Sequence, residues 1–363
     1  MTAKNSSKIN ILNNTLNQIF GESLNLARIK FIGLFITALC SAQTVCFEKL
    51  AVCFDHKAKV SSSLRRIQRF FSEYDLDIDL IAKLIYSLLP HDPPYTLAMD
   101  RTNWKFGKAN INFLVIAIVY DGVAFPILFK LLPKFGNSST QERINIMNHY
   151  IKLFGKDSIG CFLADREFIG ESWVKYLNKN KIRYHIRIRN NFLTINKKNQ
   201  RKYNVSKLFS HLKHNQSDYY RHVFYMGKQK CFISGSLAKN KEGKPELQII
   251  ISYKNQHLAQ ESYKQRWQIE TAFRALKSSG FNLEDTHLKE PERIEKLLAL
   301  VLIAYVWAYK TGIFLNEIVP IKVKKHKRRA KSLFKYGLEH LANLIFSNNV
   351  ESFKLCCNFL SCT

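Results

Sequence analysis

Apolar and polar positions in the first 90 residues alternate with helical spacing. Residues 11–20, 26–39, 44–54, 62–74 and 80–89 each set apolar side chains three and four apart, which predicts five helices. At His91-Asp92-Pro93-Pro94 the pattern stops, because paired prolines favour extended chain. Residues 95–101 then read as a short strand ending near Asp100. Residues 111–120 are nearly all apolar and β-branched, as in a strand buried on both faces. Asp121-Gly122 is a hairpin signal, and residues 123–132 return as a strand that Pro126 assigns to an edge. Ser139-Thr140-Gln141-Glu142 has the capping-box form and opens a helix to about Phe154. Residues 159–165 form a buried strand ending on Asp165. A helix over 169–180 and a strand over 181–189 with one basic face follow.

Three strands in antiparallel sequence, then two steps of helix and strand, give an α/β class with a ribonuclease H-like order. Sites in open sheets lie at the carboxyl ends of strands, which brings Asp100 and Asp165 toward one site. Residues 190–255 change character. They are densely charged, with short strands over 219–225, 230–234 and 247–253, and read as a β-rich insertion. The stretch 263–277, YKQRWQIETAFRALK, has no Gly or Pro and reads as one helix. At about 100° per residue, Tyr263, Arg266, Glu270 and Lys277 share a stripe roughly 60° wide, and Ile269, Ala272 and Leu276 face the other way. Taken alone, the helix could equally carry an exposed Arg266–Glu270–Arg274 ion ladder. Residues 297–309 suit a core helix, being too few to cross a bilayer. A basic run over 322–331 and an amphipathic stretch over 333–346 close the chain. The domains expected are a helical one over 1–90, a catalytic one over 91–310 and a basic helical tail over 311–363.

Charge narrows the partners. The chain has 56 Lys and Arg against 28 Asp and Glu, a net +28. Self-repulsion of that size points to a polyanion, and bases spread along the whole chain point to double-stranded DNA rather than membrane. Arg65, Arg66 and Arg69 lie on the helix SSSLRRIQRFF. This is the second helix of a possible helix-turn-helix, and Ser61–Ser63 offer caps that suit a phosphate. The eight cysteines form no CxxC pair and no zinc-ligand spacing, as expected of reduced thiols in the cytoplasm. The N-terminus has no signal-peptide apolar region.

Asp100, Asp165 and Glu270 are the acids that such a chain could use on phosphodiesters, where carboxylates hold two divalent ions about 4 Å apart. Magnesium takes carboxylates and waters without histidine, and manganese can replace it. Tyr263, two residues, Arg266, three residues, Glu270, six residues, Lys277 is a spacing that resembles the DDE transposases of bacterial insertion sequences, specifically the insertion sequence four family. MDRT around Asp100 and ADREF around Asp165 resemble that family's two Asp motifs. The resemblance implies cut-and-paste transposition, with Asp100, Asp165 and Glu270 binding two Mg²⁺ (or Mn²⁺) ions. Arg274, on the same helix, is a further candidate DNA contact, and the resemblance implies that Tyr263, Arg266 and Lys277 contact DNA phosphates. It also implies terminal inverted repeats read by the N-terminal helices, and a homodimer in the synaptic complex. Some relatives stack a flipped base on a Trp in the insertion. Here no Trp lies between Trp173 and Trp267, which leaves Tyr219, Tyr220 or Phe224. A nuclease or resolvase without strand transfer, and an inactive DNA-binding regulator, are the alternatives.

Overall fold

A computed structural model describes residues 2–54, 58–106, 109–196, 198–240, 242–325 and 328–361. The turn of the possible helix-turn-helix, Cys362 and two residues of the basic run lie outside them. The chain forms two compact units. One holds Met1–Pro90, Trp104–Ile111 and Phe273–Thr363, and the other holds His91–Asn103 and Asn112–Ala272. The N-terminal helices and the C-terminal tail, separate pieces in the sequence, therefore belong to one unit.

The elements in chain order begin with α1 (Thr2–Phe20), α2 (Leu26–Ala42), α3 (Phe47–Val52), α4 (Val60–Glu73) and α5 (Ile78–Ser87). The strands and helices β1 (Tyr95–Phe106), β2 (Ala109–Tyr120), β3 (Val123–Leu131), α6 (Thr140–Phe154), β4 (Ile159–Ala164), α7 (Glu171–Lys179) and β5 (Tyr184–Ile188) follow. Then come β6 (Leu193–Asn196), β7 (Lys202–Asn204), α8 (Val205–Leu208), β8 (Gln216–Tyr219), β9 (Phe224–Met226), β10 (Gln229–Lys239) and β11 (Pro245–Ser252). The chain ends with α9 (Ala259–Lys264), α10 (Trp267–Lys277), α11 (Pro291–Ile318), α12 (Leu333–Phe346) and α13 (Val350–Asn358).

In the helical unit the core is aromatic. Phe31 stacks on Phe70 at 4.0 Å, and Phe35 packs against Phe71 and Phe54. The α4 stripe Ser63, Ile67, Phe70 and Phe71 is buried, which leaves Arg65, Arg66 and Arg69 on its exposed side. The sequence makes Ser61–Ser63 the cap. The helix instead starts one residue earlier, at Val60, with Lys59 at the N-cap and no side-chain cap, so those serines lie within its first turn. Helix α11 is long and apolar enough to cross a membrane, yet 78% of its apolar window is buried inside the protein. It crosses α12 at backbone contact. A Cβ on Gly312 would fall 1.9 Å from the Leu333 carbonyl oxygen, and one on Gly337 would fall 1.8 Å from that of Ala308. Backbone cannot yield as a side-chain tip does. Gly337→Ala is therefore expected to destabilise this unit by about 1–3 kcal/mol, the usual cost of overpacking. Chemical denaturation checks this, and an unchanged midpoint would refute the close crossing.

In the other unit the described strands form one mixed sheet, in the order β3-β2-β1-β4-β5-β11-β10-β9-β6-β7, with β8 also on β10. β2–β3 is antiparallel, and β1–β4 and β4–β5 are parallel. This order agrees with the ribonuclease H-like pattern read from the sequence. The hairpin turn falls at Asp121-Gly122, both at positive φ, and β3 is an edge strand that tolerates Pro126. The capping box at Ser139 and Glu142 opens α6. The β-rich stretch joins the core sheet through β11, which pairs β5 antiparallel. Of the bases read on one face of 181–189, Lys181, Arg183 and Arg189 are exposed, whereas His185 is buried and bonds Ser252 at 2.8 Å and Arg187 is paired with Glu246.

Candidate active site

Asp100 and Asp165 arrive on neighbouring parallel strands. The last paired residues of β1 and β4 are Met99 and Ala164, and the two acids come next on each chain. The sequence ends the first strand at Arg101, but β1 runs to Phe106. What ends beside Asp100 is the pairing with β4, not the strand. Asp100 Oδ1 accepts the Arg101 backbone N–H at 2.8 Å, and Asp165 Oδ1 accepts that of Glu167 at 2.7 Å. The Phe168 N–H closes the turn on the Asp165 carbonyl at 3.0 Å. These local bonds orient each carboxylate and leave its second oxygen for another partner.

For Asp100 that partner is Arg266. One guanidinium nitrogen donates to Asp100 Oδ2 at 2.7 Å and the other to Glu270 Oε1 at 2.6 Å. Two acids 170 positions apart in the chain thus share one cation. The guanidinium is 10% exposed, and its Nε is buried without an acceptor among the described residues. Burial opposes its charge, but Tyr263, Asp100 and Glu270 hold it firmly protonated. Asp100 is pushed up to about 6, first by burial, with Asp165 and Glu270 adding to the rise and Arg266 and the Arg101 amide opposing it.

The continuous helix read over 263–277 is broken. α9 ends at Lys264 and α10 begins at Trp267. Between them the Arg266 N–H bonds Tyr263 O at 3.0 Å and the Gln268 N–H bonds Gln265 O at 3.1 Å, tight three-residue turns that join the two pieces. Tyr263 is 6% exposed, packed on Ile250 and Ala259, with the Arg266 guanidinium 5.7 Å from its ring. Its hydroxyl is pushed up to about 12, chiefly by burial. The ring walls the pocket rather than standing open to a phosphate. Arg274 and Lys277 belong to the helical unit. Arg274 is exposed there, and Lys277 pairs Glu284 at 2.9 Å with its ammonium 5.5 Å from the Trp104 ring. Of the aromatics offered for a flipped base, Phe224 is fully buried and Tyr220 donates its hydroxyl to Leu208 O, while Tyr219 is 36% exposed.

Among the described residues no three His, Cys, Asp or Glu side chains already form a metal cage. The donor chemistry nevertheless fits a hard divalent cation. The donors are carboxylate oxygens, one carboxyl is raised first by burial and further by Asp165 and Glu270, and a guanidinium lies between two of them.

With this geometry in view, the comparisons are decisive on family. The model of the transposase DDE domain matches residues 91–307. This chain belongs to that family. No curated protein matches it. Among solved structures, the endonuclease V of Bacillus subtilis is similar over 64% of this chain and 95% of its own, at 12% identity and a TM-score of 0.24, too slight a likeness to support any argument. DNA transposition by nuclease and transposase chemistry is thus the general function of this transposase domain.

Sequence reading missed a second cluster beside the acids. Arg101 forks onto Glu167, with NH2 to Oε2 at 2.9 Å, and NH1 donates to Asn112 Oδ1 at 2.8 Å. The available signal was a pair of opposite charges near the two acids, Arg101 directly after Asp100 and Glu167 two residues after Asp165. In the metal-free transposase, Asp100 also sets a pH dependence. Its carboxyl titrates higher folded than unfolded, so its contribution to stability is complete below about pH 4 and is lost as pH rises through about 6. Thermal midpoints of wild type minus Asp100→Asn should change over that window and level off above it. A flat difference would contradict the burial assigned to this group.

Proposed function

We propose that this protein is the cut-and-paste transposase of an insertion sequence, with Asp100, Asp165 and Glu270 as its catalytic acids. The observation that carries the reading is the meeting of Asp100 and Glu270 on Arg266, with Asp165 leaving the adjacent parallel strand, inside the span of the family match. DDE transposases generally use divalent metals. The three carboxylates would hold two Mg²⁺ ions, or Mn²⁺, which supply Lewis-acid activation of the attacking oxygen and stabilisation of the leaving one.

The residues of this chain do the rest. Asp100 and Asp165, each held by a backbone amide, present a fixed oxygen to the pocket, and Glu270 presents its own from the first turn of α10. Arg266 offsets the charge of Asp100 and Glu270, and would yield their oxygens to a bound metal. The buried Tyr263 ring excludes water behind it. The signature Tyr263, Arg266, Glu270 and Lys277 supports the insertion sequence four family. Residues 1–90, with Arg65, Arg66 and Arg69 exposed on α4, would read the terminal inverted repeats. The C-terminal helices would contribute to a synaptic homodimer. Such a protein works where bacterial DNA lies, in the cytoplasm.

The test is incubation of the protein with duplexes carrying the element's ends, Mg²⁺ and a plasmid target. Joined product with a free 3′-hydroxyl spent on the target supports transposition. Cleavage without joining makes the protein a nuclease, and binding without cleavage makes it a regulator.

A further inference from the structure

We infer that Arg101 and Glu167 are positioning residues: their forked ion pair bridges the gap that opens where β1 and β4 part, and so sets the spacing of Asp100 and Asp165. The inference rests on the proposed role of those acids. Backbone pairing between the strands stops at Met99 and Ala164, so beyond that point no strand ladder fixes how far apart the next residues lie. Arg101 follows Asp100 directly, and Glu167 follows Asp165 by two. The pair between them spans the first unladdered step.

The bridge is built to be rigid. Arg101 Nε and NH2 both donate to the Glu167 carboxylate, the two-point geometry that fixes a guanidinium in plane and distance. NH1 donates to Asn112 Oδ1 at 2.8 Å, and NH2 also reaches Asn137 Oδ1 at 3.2 Å. Asn112 is fully buried on β2, and its amide nitrogen is spent on the carbonyls of Lys134 and Gly136, both at 3.1 Å. Its oxygen is therefore turned toward Arg101. From the far side, the buried Arg143 holds the Asp165 loop. It donates to Ile169 O at 3.4 Å, lies 5.3 Å from the Phe168 ring, and is itself anchored on Ser138. Glu167 also carries the amide that orients Asp165 Oδ1, so a shift of its side chain is passed to that carboxylate. Residues that orient ligands in this way typically change metal affinity by about 10–100-fold when altered.

The experiment measures Mn²⁺ binding to the full chain by electron paramagnetic resonance, with and without an element-end duplex, for wild type, Glu167→Gln and Arg101→Lys. Gln is isosteric with Glu, and Lys keeps the charge while losing the fork. Both variants are expected to need about tenfold more Mn²⁺ for half saturation, at temperatures where circular dichroism shows them folded, and raised Mn²⁺ should restore their cleavage. A lower thermal midpoint with wild-type Mn²⁺ affinity would make the pair a fold stabiliser only and overturn the inference. Wild-type protein that binds no Mn²⁺ in either condition would overturn the metal reading, and this inference with it.

Discussion

Glu270→Gln is expected to lower strand cleavage about a thousandfold while leaving DNA affinity within about twofold of wild type. Metal-borne stabilisation of the reacting oxygens amounts to several kcal/mol, and each ~1.4 kcal/mol is tenfold in rate. Removing one carboxylate charge from the proposed set forfeits much of that. The amide oxygen of Gln can still accept the Arg266 bond that Glu270 Oε1 now accepts at 2.6 Å, so the α10 turn and the pocket wall should persist. DNA affinity comes from phosphate contacts distributed over a chain of net +28, which a single acid hardly alters. Single-turnover cleavage of an end duplex and a gel-shift titration under the same salt measure the two quantities. Cleavage at the wild-type rate would remove Glu270 from the catalytic set.

Much of the site was legible because it is written in local pattern. The apolar runs at 111–120 and 159–164 announce central strands, Asp121-Gly122 announces the hairpin of the first of them with β3, and Ser139 with Glu142 announces α6. From these the sheet order is nearly forced. Other features depend on three-dimensional neighbours that no spacing reveals. The break at Gln265 and Arg266, where Arg266 turns inward to two acids, one of them on a strand 166 positions earlier, leaves no mark in the spacing of 263–277. The continuation of the core sheet through β11 depends on pairing with β5, where Ile251 meets Ile186 across a long stretch of chain. Asn112 looks like a stray amide in an apolar strand until Arg101 is seen above it.

Arg266→Ala is expected to cost the metal-free protein roughly 3 kcal/mol, the lower range for stripping one partner from a buried ion pair. The lower range is the right one because the Glu270 side chain is 34% exposed and water screens that half of the interaction. Asp100, 15% exposed and already raised by burial and, less, by Asp165 and Glu270, would lose its main source of compensation. A divalent cation can supply the missing charge, so Mn²⁺ should raise the thermal midpoint of Arg266→Ala by more than it raises that of wild type. Equal shifts would mean that Arg266 and the metal do not share those oxygens. The salt dependence of end binding then tests what Arg266 does once DNA arrives. A guanidinium that leaves Asp100 and Glu270 to hold a phosphate contributes about one to the slope of log affinity against log salt, and Ala removes it. A lost slope together with lost stability describes an arginine that exchanges the acids for DNA at the moment metal replaces it. Lost stability with an unchanged slope describes one that serves the empty pocket alone.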